Sequence, residues 1–326
     1  MTVLVTGAAG FIGFSAARAL LQRGEPVLGI DNLNDYYDVR LKEARLAELR
    51  KHGDFRFQKL DVADWDGMMA VAKANPGIDR MVHLAAQAGV RHAMVDPMSY
   101  MRSNLDGHVI LLEVARRLEG LKHIAYASTS SVYGDSKAMP FSIHDPVDKP
   151  RSLYAATKRG GELISLAYSQ LFGIPMTGLR FFTVYGPWGR PDMAAWLFAA
   201  AIIEGRPLQL FNSGKMERDF TYIDDIVFGI LAALDRIPAL DAEGRRHALY
   251  NLGNNAPEDL RRFLAIIEQT CDRKAIIENL PMQPGDVVKN NADITESRRD
   301  LGYEPRTPID VGLPNFIKWY RDFYGK

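Results

Sequence analysis

Tyr154 and Lys158 stand four residues apart in the stretch YAATK, and Thr129 lies upstream in ASTSSVYG. On a helix, positions i and i+4 share a face, so the ammonium can lie near the phenol without touching it. A phenol with its ordinary pKa of about 10 is a poor base at neutrality. Neighbouring positive charge stabilises the phenolate. A drop of about three units corresponds to roughly 4 kcal/mol of differential stabilisation. That would poise Tyr154 as a general acid/base, with Thr129 holding or relaying the proton on the same hydroxyl. A tyrosine and a lysine at this spacing occur by chance in many helices, so the pair takes its meaning from what must position it.

The amino terminus supplies that context. TVLVT is a run of β-formers, followed at once by Gly7, Gly10 and Gly13 at three-residue spacing and then by a helical pattern. A strand, a glycine-rich turn and a helix make a phosphate cradle. Gly7 permits the tight turn, Gly10 lets backbone approach a pyrophosphate, and Gly13 lets the helix pack on the sheet. The free N–H groups at the helix start, from Phe11 and Ile12 onward, face the anion. The next strand ends at Asp31, where a carboxylate binds an adenosine ribose. Asn32 follows, with no arginine beside it to take a 2′-phosphate, which favours NAD over NADP. The third strand ends in LDVAD. There Asp61, beside Val62, either reaches the adenine amine or caps the next helix, and the local sequence leaves both open. The oxidised nicotinamide then joins Lys158 as the second cation near Tyr154.

Strands at 2–6, 26–30, 55–60, 78–85, 123–128 and 175–181 alternate with helices at 11–23, 40–51, 64–74, about 99–118 and 153–172. Such alternation predicts an α/β fold with a doubly wound parallel sheet. After about residue 181 the rhythm changes and Gly and Pro cluster. A smaller C-terminal substrate-binding lobe is expected, with a strand near 248–253 returning to the main sheet and an aromatic-rich helix near 309–323. The expected division is 1–181 plus about 221–253 for the NAD-binding domain, and about 182–220 plus 254–326 for the lobe.

Composition narrows the field. The 326 residues carry 40 acidic and 40 basic side chains, with no charge excess that would suit nucleic acid or an anionic membrane. One cysteine, Cys271, excludes an internal disulfide framework and a multi-cysteine metal site. The seven histidines are scattered, and no metal is expected. Neither a signal peptide nor a transmembrane run is apparent, and a reducing, cytoplasmic setting is the expectation.

Together these segments resemble the extended short-chain dehydrogenase/reductases, in their nucleotide-sugar epimerase/dehydratase branch. The similarity spans essentially the whole chain: Gly7–Gly13, Asp31-Asn32, Asp61-Val62, HLAAQAGVR (83–91), Thr129, Tyr154, Lys158, RDFTYIDD (218–225) and PGD (284–286). The resemblance implies a Rossmann-like fold, catalytic roles for Thr129, Tyr154 and Lys158, and a cofactor-lining loop at Leu84, Ala85, Ala86 and Gln87. It also implies a homodimer packed through the helices at about 99–118 and 153–172.

Within the branch, dehydratases and decarboxylases usually carry an acid at the position of Ser131, and dehydratases an Asp at that of Ser130. Two serines argue for plain epimerisation. LRFFTVYGPWGRPDM (179–193) and LPMQPGDV (280–287) are most similar to UDP-glucuronate 4-epimerases. That likeness places Thr183 and Arg190 near the sugar or its carboxylate. Gln283 replaces a frequent arginine, so Arg218 and Arg91 are the candidates to meet the diphosphate. Asp286 is left between a ribose contact and a turn cap. The implied reaction is C4 inversion of UDP-glucuronate through a transient 4-keto sugar, with hydride lent to NAD and returned to the opposite face. UDP-glucose or UDP-N-acetylglucosamine is the alternative substrate.

Overall fold

The structure is a computed structural model that describes residues 1–282 and 287–326. Six strands alternate with helices through the first part: β1 (Thr2–Thr6), α1 (Phe11–Gln22), β2 (Val27–Asp31), α2 (Val39–Leu49), β3 (Phe55–Lys59), α3 (Trp65–Ala74), β4 (Ile78–His83), α4 (Pro97–Met101), α5 (Gly107–Ala115), β5 (His123–Thr129), α6 (Leu153–Phe172) and β6 (Met176–Phe181). Successive residues of β1 explain why both faces need helices. Val3 and Val5 enter one apolar core and Leu4 the other, all essentially without exposure. A strand buried on both sides is the mark of a parallel sheet between helical layers.

The chain continues through β7 (Thr183–Tyr185), α7 (Ala194–Glu204), β8 (Pro207–Phe211), β9 (Glu217–Arg218), β10 (Phe220–Tyr222), α8 (Ile223–Asp235), β11 (His247–Leu252), β12 (Glu258–Asp259), α9 (Leu260–Cys271), β13 (Ile276–Leu280), α10 (Thr295–Leu301) and α11 (Ile309–Tyr324). β11 pairs in parallel with β6 and completes a seven-stranded sheet in the order β11-β6-β5-β4-β1-β2-β3. The order reverses between β1 and β4, which opens a crevice at their carboxyl ends.

The helix expected over about 99–118 comes in pieces. Asp96 caps α4 by accepting from the Ser99 N–H, and a wide π turn, Arg102–Asp106, separates α4 from α5. That turn aims Asn104 inward. Its amide donates to the Gln87 carbonyl and to Thr157 Oγ1, and its Oδ1 accepts from the Gln87 N–H. The apolar stretch 109–115 lies chiefly in the core rather than on an outer face.

Beyond the main sheet, β7 pairs with β10, β8 with β13 and β9 with β12. Asp219, between β9 and β10, ties them to the segments at 254–255 and 292. Its fully buried carboxylate accepts from the backbone N–H groups of Asn254, Asn255 and Ala292. Burial still pushes the group above the ordinary carboxylate range.

Candidate active site

The carboxyl ends of β1, β2, β4 and β5 open into a cavity of about 850 Å³, which also reaches residues from 181 to 290. Gly7, at φ +71°, turns the chain out of β1. A Cβ on Gly13 would sit 2.0 Å from the Gly7 carbonyl oxygen, so only glycine lets α1 start this close to the turn. No side chain caps α1, and Gly7, Gly10, Phe11, Ile12 and Gly13 all line the cavity. These features fit a dinucleotide pyrophosphate at a helix N-terminus.

Asp31 ends β2 and is held from two sides. Its Oδ2 accepts from the Ala9 N–H at 3.1 Å and its Oδ1 from the Leu33 N–H at 2.9 Å. Asp61 lines the cavity with Asn32 and Val62. It accepts from the Ala63 N–H and from Asn32 Nδ2, and it pairs with Arg102 at 3.6 Å. The cap of α3 is Asp64 instead, which accepts from the Gly67 N–H. Leu84, Ala85, Ala86 and Gln87 form the adjoining wall.

Tyr154 and Lys158 lie in the first turns of α6, whose start is fixed by Ser152 accepting from the Ala155 N–H. Both line the cavity together with Thr129, Ser130 and Ser131. Burial pushes the Tyr154 phenol above its ordinary pKa, opposed by the Arg190 guanidinium and the Thr129 hydroxyl. The net direction is opposite to the lowering that the sequence reading expects. Burial brings Lys158 itself down to about 8, against an opposing pull from Glu162.

Thr183, Arg190, Arg218 and Arg91 line the far side of the same cavity. Arg190 is paired with Asp192 through two contacts of 2.9 and 2.5 Å, and Tyr36 donates to that carboxylate at 3.2 Å. Arg218 donates to the Glu217 and Val288 carbonyls, and the Arg91 guanidinium sits 5.0 Å from the Phe211 ring centre. Gln283 and Asp286 lie outside the described residues.

Two buried cations beside the cavity escaped the sequence reading, Lys42 on its wall and Arg45 behind it. Lys42 donates to the Asn34 carbonyl at 2.7 Å and to Asn34 Oδ1 at 2.6 Å, below Asp31. Arg45, fully buried, donates to the carbonyls of Ala9, Trp188 and Gly189 and to the Tyr37 hydroxyl. It ties the glycine turn to the loop carrying Arg190. Both residues sit on α2, which the sequence presents only as a charged helix. The available signal was the polar loop NLNDYY between Asp31 and that helix, whose side chains need partners.

Three of the seven histidines, far apart in sequence, come together in space. His108 packs against His83 and Tyr126, and Tyr126 meets His247 Nε2 at 2.8 Å. Among the described residues no three His, Cys, Asp or Glu side chains are grouped to hold a metal, and no helix is long and apolar enough to cross a membrane.

Residues 3–253 match the model of the NAD dependent epimerase/dehydratase family. UDP-glucuronate 4-epimerase 4 of Arabidopsis thaliana is 45% identical over 335 residues, covering 99% of this chain and 76% of its own length. The protein CapI of Staphylococcus aureus is 42% identical over 338 residues, covering 100% of each chain. The crystal structure of a UDP-glucuronic acid 4-epimerase from Bacillus cereus, in complex with UDP-glucuronic acid and NAD, is 33% identical with a TM-score of 0.91. It covers 99% of this chain and 100% of that one.

Proposed function

The chain belongs to the NAD dependent epimerase/dehydratase family, and we propose that it interconverts UDP-glucuronate and UDP-galacturonate by inverting C4 through a transient 4-keto sugar. The observation that carries this reading is the meeting, in one cavity, of Tyr154 and Lys158 with four small hydroxyls and Arg190. The hydroxyls are Thr129, Ser130, Ser131 and Thr183.

Bound NAD supplies a reversible hydride acceptor at C4. The glycine turn, Asp31, Asp61 and the Leu84–Gln87 wall hold it. Tyr154 takes the C4 hydroxyl proton and later gives it back, Lys158 steadies the phenolate, and Thr129 orients the shared proton. Arg218 and Arg91 meet the diphosphate while the sugar turns over. The oxidised sugar is a β-keto acid, prone to lose carbon dioxide when its breaking bond aligns with the carbonyl π system. Hydroxyl donors around the carboxylate oppose this by fixing its plane and by solvating charge that decarboxylation would disperse. At the positions of Ser130 and Ser131 there is no carboxyl group to drive elimination.

Incubation with UDP-glucuronate, UDP-glucose and UDP-N-acetylglucosamine separately, with products resolved by NMR, tests this. Turnover of a neutral sugar in preference to the uronate would replace the reading with a neutral-sugar 4-epimerase. Thr183→Ala should raise the share of pentose product, and unchanged partitioning would remove Thr183 from the carboxylate site.

The proposal extends to a cytoplasmic homodimer, with residues 1–181 plus about 221–253 binding NAD and the remainder forming the sugar-nucleotide lobe. Met94, Val95, Met98 and Leu163 are all at least half exposed, near or on α4 and α6, and support a helix-mediated contact. Sedimentation at micromolar concentration tests it: a monomer there would rule the dimer out.

A further inference from the structure

Glu162 follows Lys158 by one helical turn on the inner side of α6 and is 1% exposed. Such a carboxylate must be fully satisfied. Its Oε1 accepts from Ser128 Oγ at 2.6 Å and from Arg180 Nε at 2.8 Å. Its Oε2 accepts from Arg180 Nη2 at 2.9 Å and from Arg159 Nη1 at 2.8 Å. Arg180, on β6, is equally buried and donates onward to the Tyr133 hydroxyl. Tyr133 donates to Asn251 Oδ1, and the Asn251 amide donates to the carbonyls of Phe141 and Asp293. The carboxylate is thus anchored from β5, β6 and its own helix, and none of these bonds takes part in the proton or hydride step.

We infer that Glu162 is a positioning residue whose fixed negative charge keeps the Lys158 ammonium protonated in a site otherwise too dry to hold it. The inference rests on Lys158 acting as proposed above. The other ionisable groups around the two residues cannot do this work. His83 from β4, His108 from α5 and His247 from β11 are all driven toward the neutral form by burial. The phenols of Tyr126 and Tyr133 are pushed up by burial and stay neutral. Arg159 and Arg180 are positive. Glu162 alone opposes the burial that brings Lys158 down to about 8. An unopposed fall would leave much of Lys158 as free amine at neutral pH, and the phenolate would lose its nearby cation.

The test reads Lys158 directly in the NAD-bound protein, by NMR of isotope-labelled lysine ε-carbons, the resonance being assigned by its loss in Lys158→Met. Glu162→Gln should lower the Lys158 midpoint by about one pH unit, because it both removes the carboxylate and leaves Arg180 unbalanced. The double variant E162Q/R180M removes both members of the inner pair, so no unbalanced guanidinium remains at residue 180, and it should lower the midpoint by about half as much. The alkaline limb of kcat/KM should move with it in both variants, a macroscopic value belonging to the Tyr154–Lys158 pair. A purely structural role would change melting temperature and leave both midpoint and limb in place. A Lys158 midpoint equal to the native one in E162Q overturns the inference. If E162Q does not fold, an unmoved midpoint in the double variant overturns it equally. Because the NMR titration needs no turnover, failure of the epimerase reading would be seen separately, in the product assay.

Discussion

Two arginine–carboxylate pairs serve the cleft, and they differ mainly in their access to water. Arg180 and Glu162 meet at 2.8 Å with both side chains 1% exposed. Arg190 and Asp192 meet at 2.5 Å with side chains 22% and 31% exposed. In each pair burial opposes ionisation and the partner outweighs it, so the carboxyl is held down and the guanidinium raised. The inner pair is locked by Ser128, Tyr133 and Arg159 and cannot separate without stranding a charge. The outer pair sits on the cavity wall, where water can reach both partners and an anionic ligand could take the place of Asp192 on Arg190. The same ion-pair chemistry is therefore a closed strut in one place and open to solvent in the other.

The largest effect should fall between the two pairs. Tyr154→Phe is expected to reduce kcat by about 10²–10⁴-fold with little change in melting temperature. Parental turnover in that variant would detach the pairs from the chemistry altogether. Next, Arg180→Leu should destabilise the fold by about 3–5 kcal/mol, because it leaves the Glu162 charge buried. Chemical denaturation measures this, and a loss under about 1 kcal/mol would erase the distinction between closed strut and open pair. Arg190→Ala should lower stability by no more than about 1 kcal/mol. It should still reduce kcat/KM for UDP-glucuronate by about 10–100-fold, the worth of a hydrogen bond to a charged group. An equal loss with UDP-glucose would show that Arg190 does not read the carboxylate.

The smallest effect at neutral pH concerns the imidazoles behind the inner pair. Burial takes His108 down to about 3 and His247 to about 4. The unfolded chain, with histidines near 6.5, then binds more protons below that pH. Their contribution is fully present above about pH 6.5 and is lost as pH falls toward about 4 for His247 and about 3 for His108, by up to about 1.4 kcal/mol per histidine per pH unit. Replacing His108 with Asn should flatten the acid side of a melting-temperature profile, and an unchanged slope would show that the imidazole is not held neutral.

Local order in the chain was enough for much of this. The strand and helix succession was legible because alternation and helical spacing are short-range properties. The glycine turn was legible because a positive φ and a close helix approach demand glycine at fixed intervals. The Tyr154–Lys158 spacing carried its own geometry. Charged side chains were harder. Lys42, Arg45 and Glu162 look in sequence like solvated positions on helical faces, because charge on a helix is usually on its outside. Each is buried only because carbonyls, hydroxyls or a second charge from distant segments converge on it. In Arg45 those partners come from residues 9, 37, 188 and 189.

The sequence by itself determined the alternation of strands and helices, the glycine turn after β1 and the placing of Tyr154 and Lys158 one turn apart on a helix, since each depends on residues a few positions apart. Only the tertiary structure decided which charges became struts, which stayed open to the cavity, and that His83, His108 and His247 join in one run of contacts through Tyr126. The reason is physical: the energy of a charge depends on how much water is excluded around it, and that is a property of the packed fold.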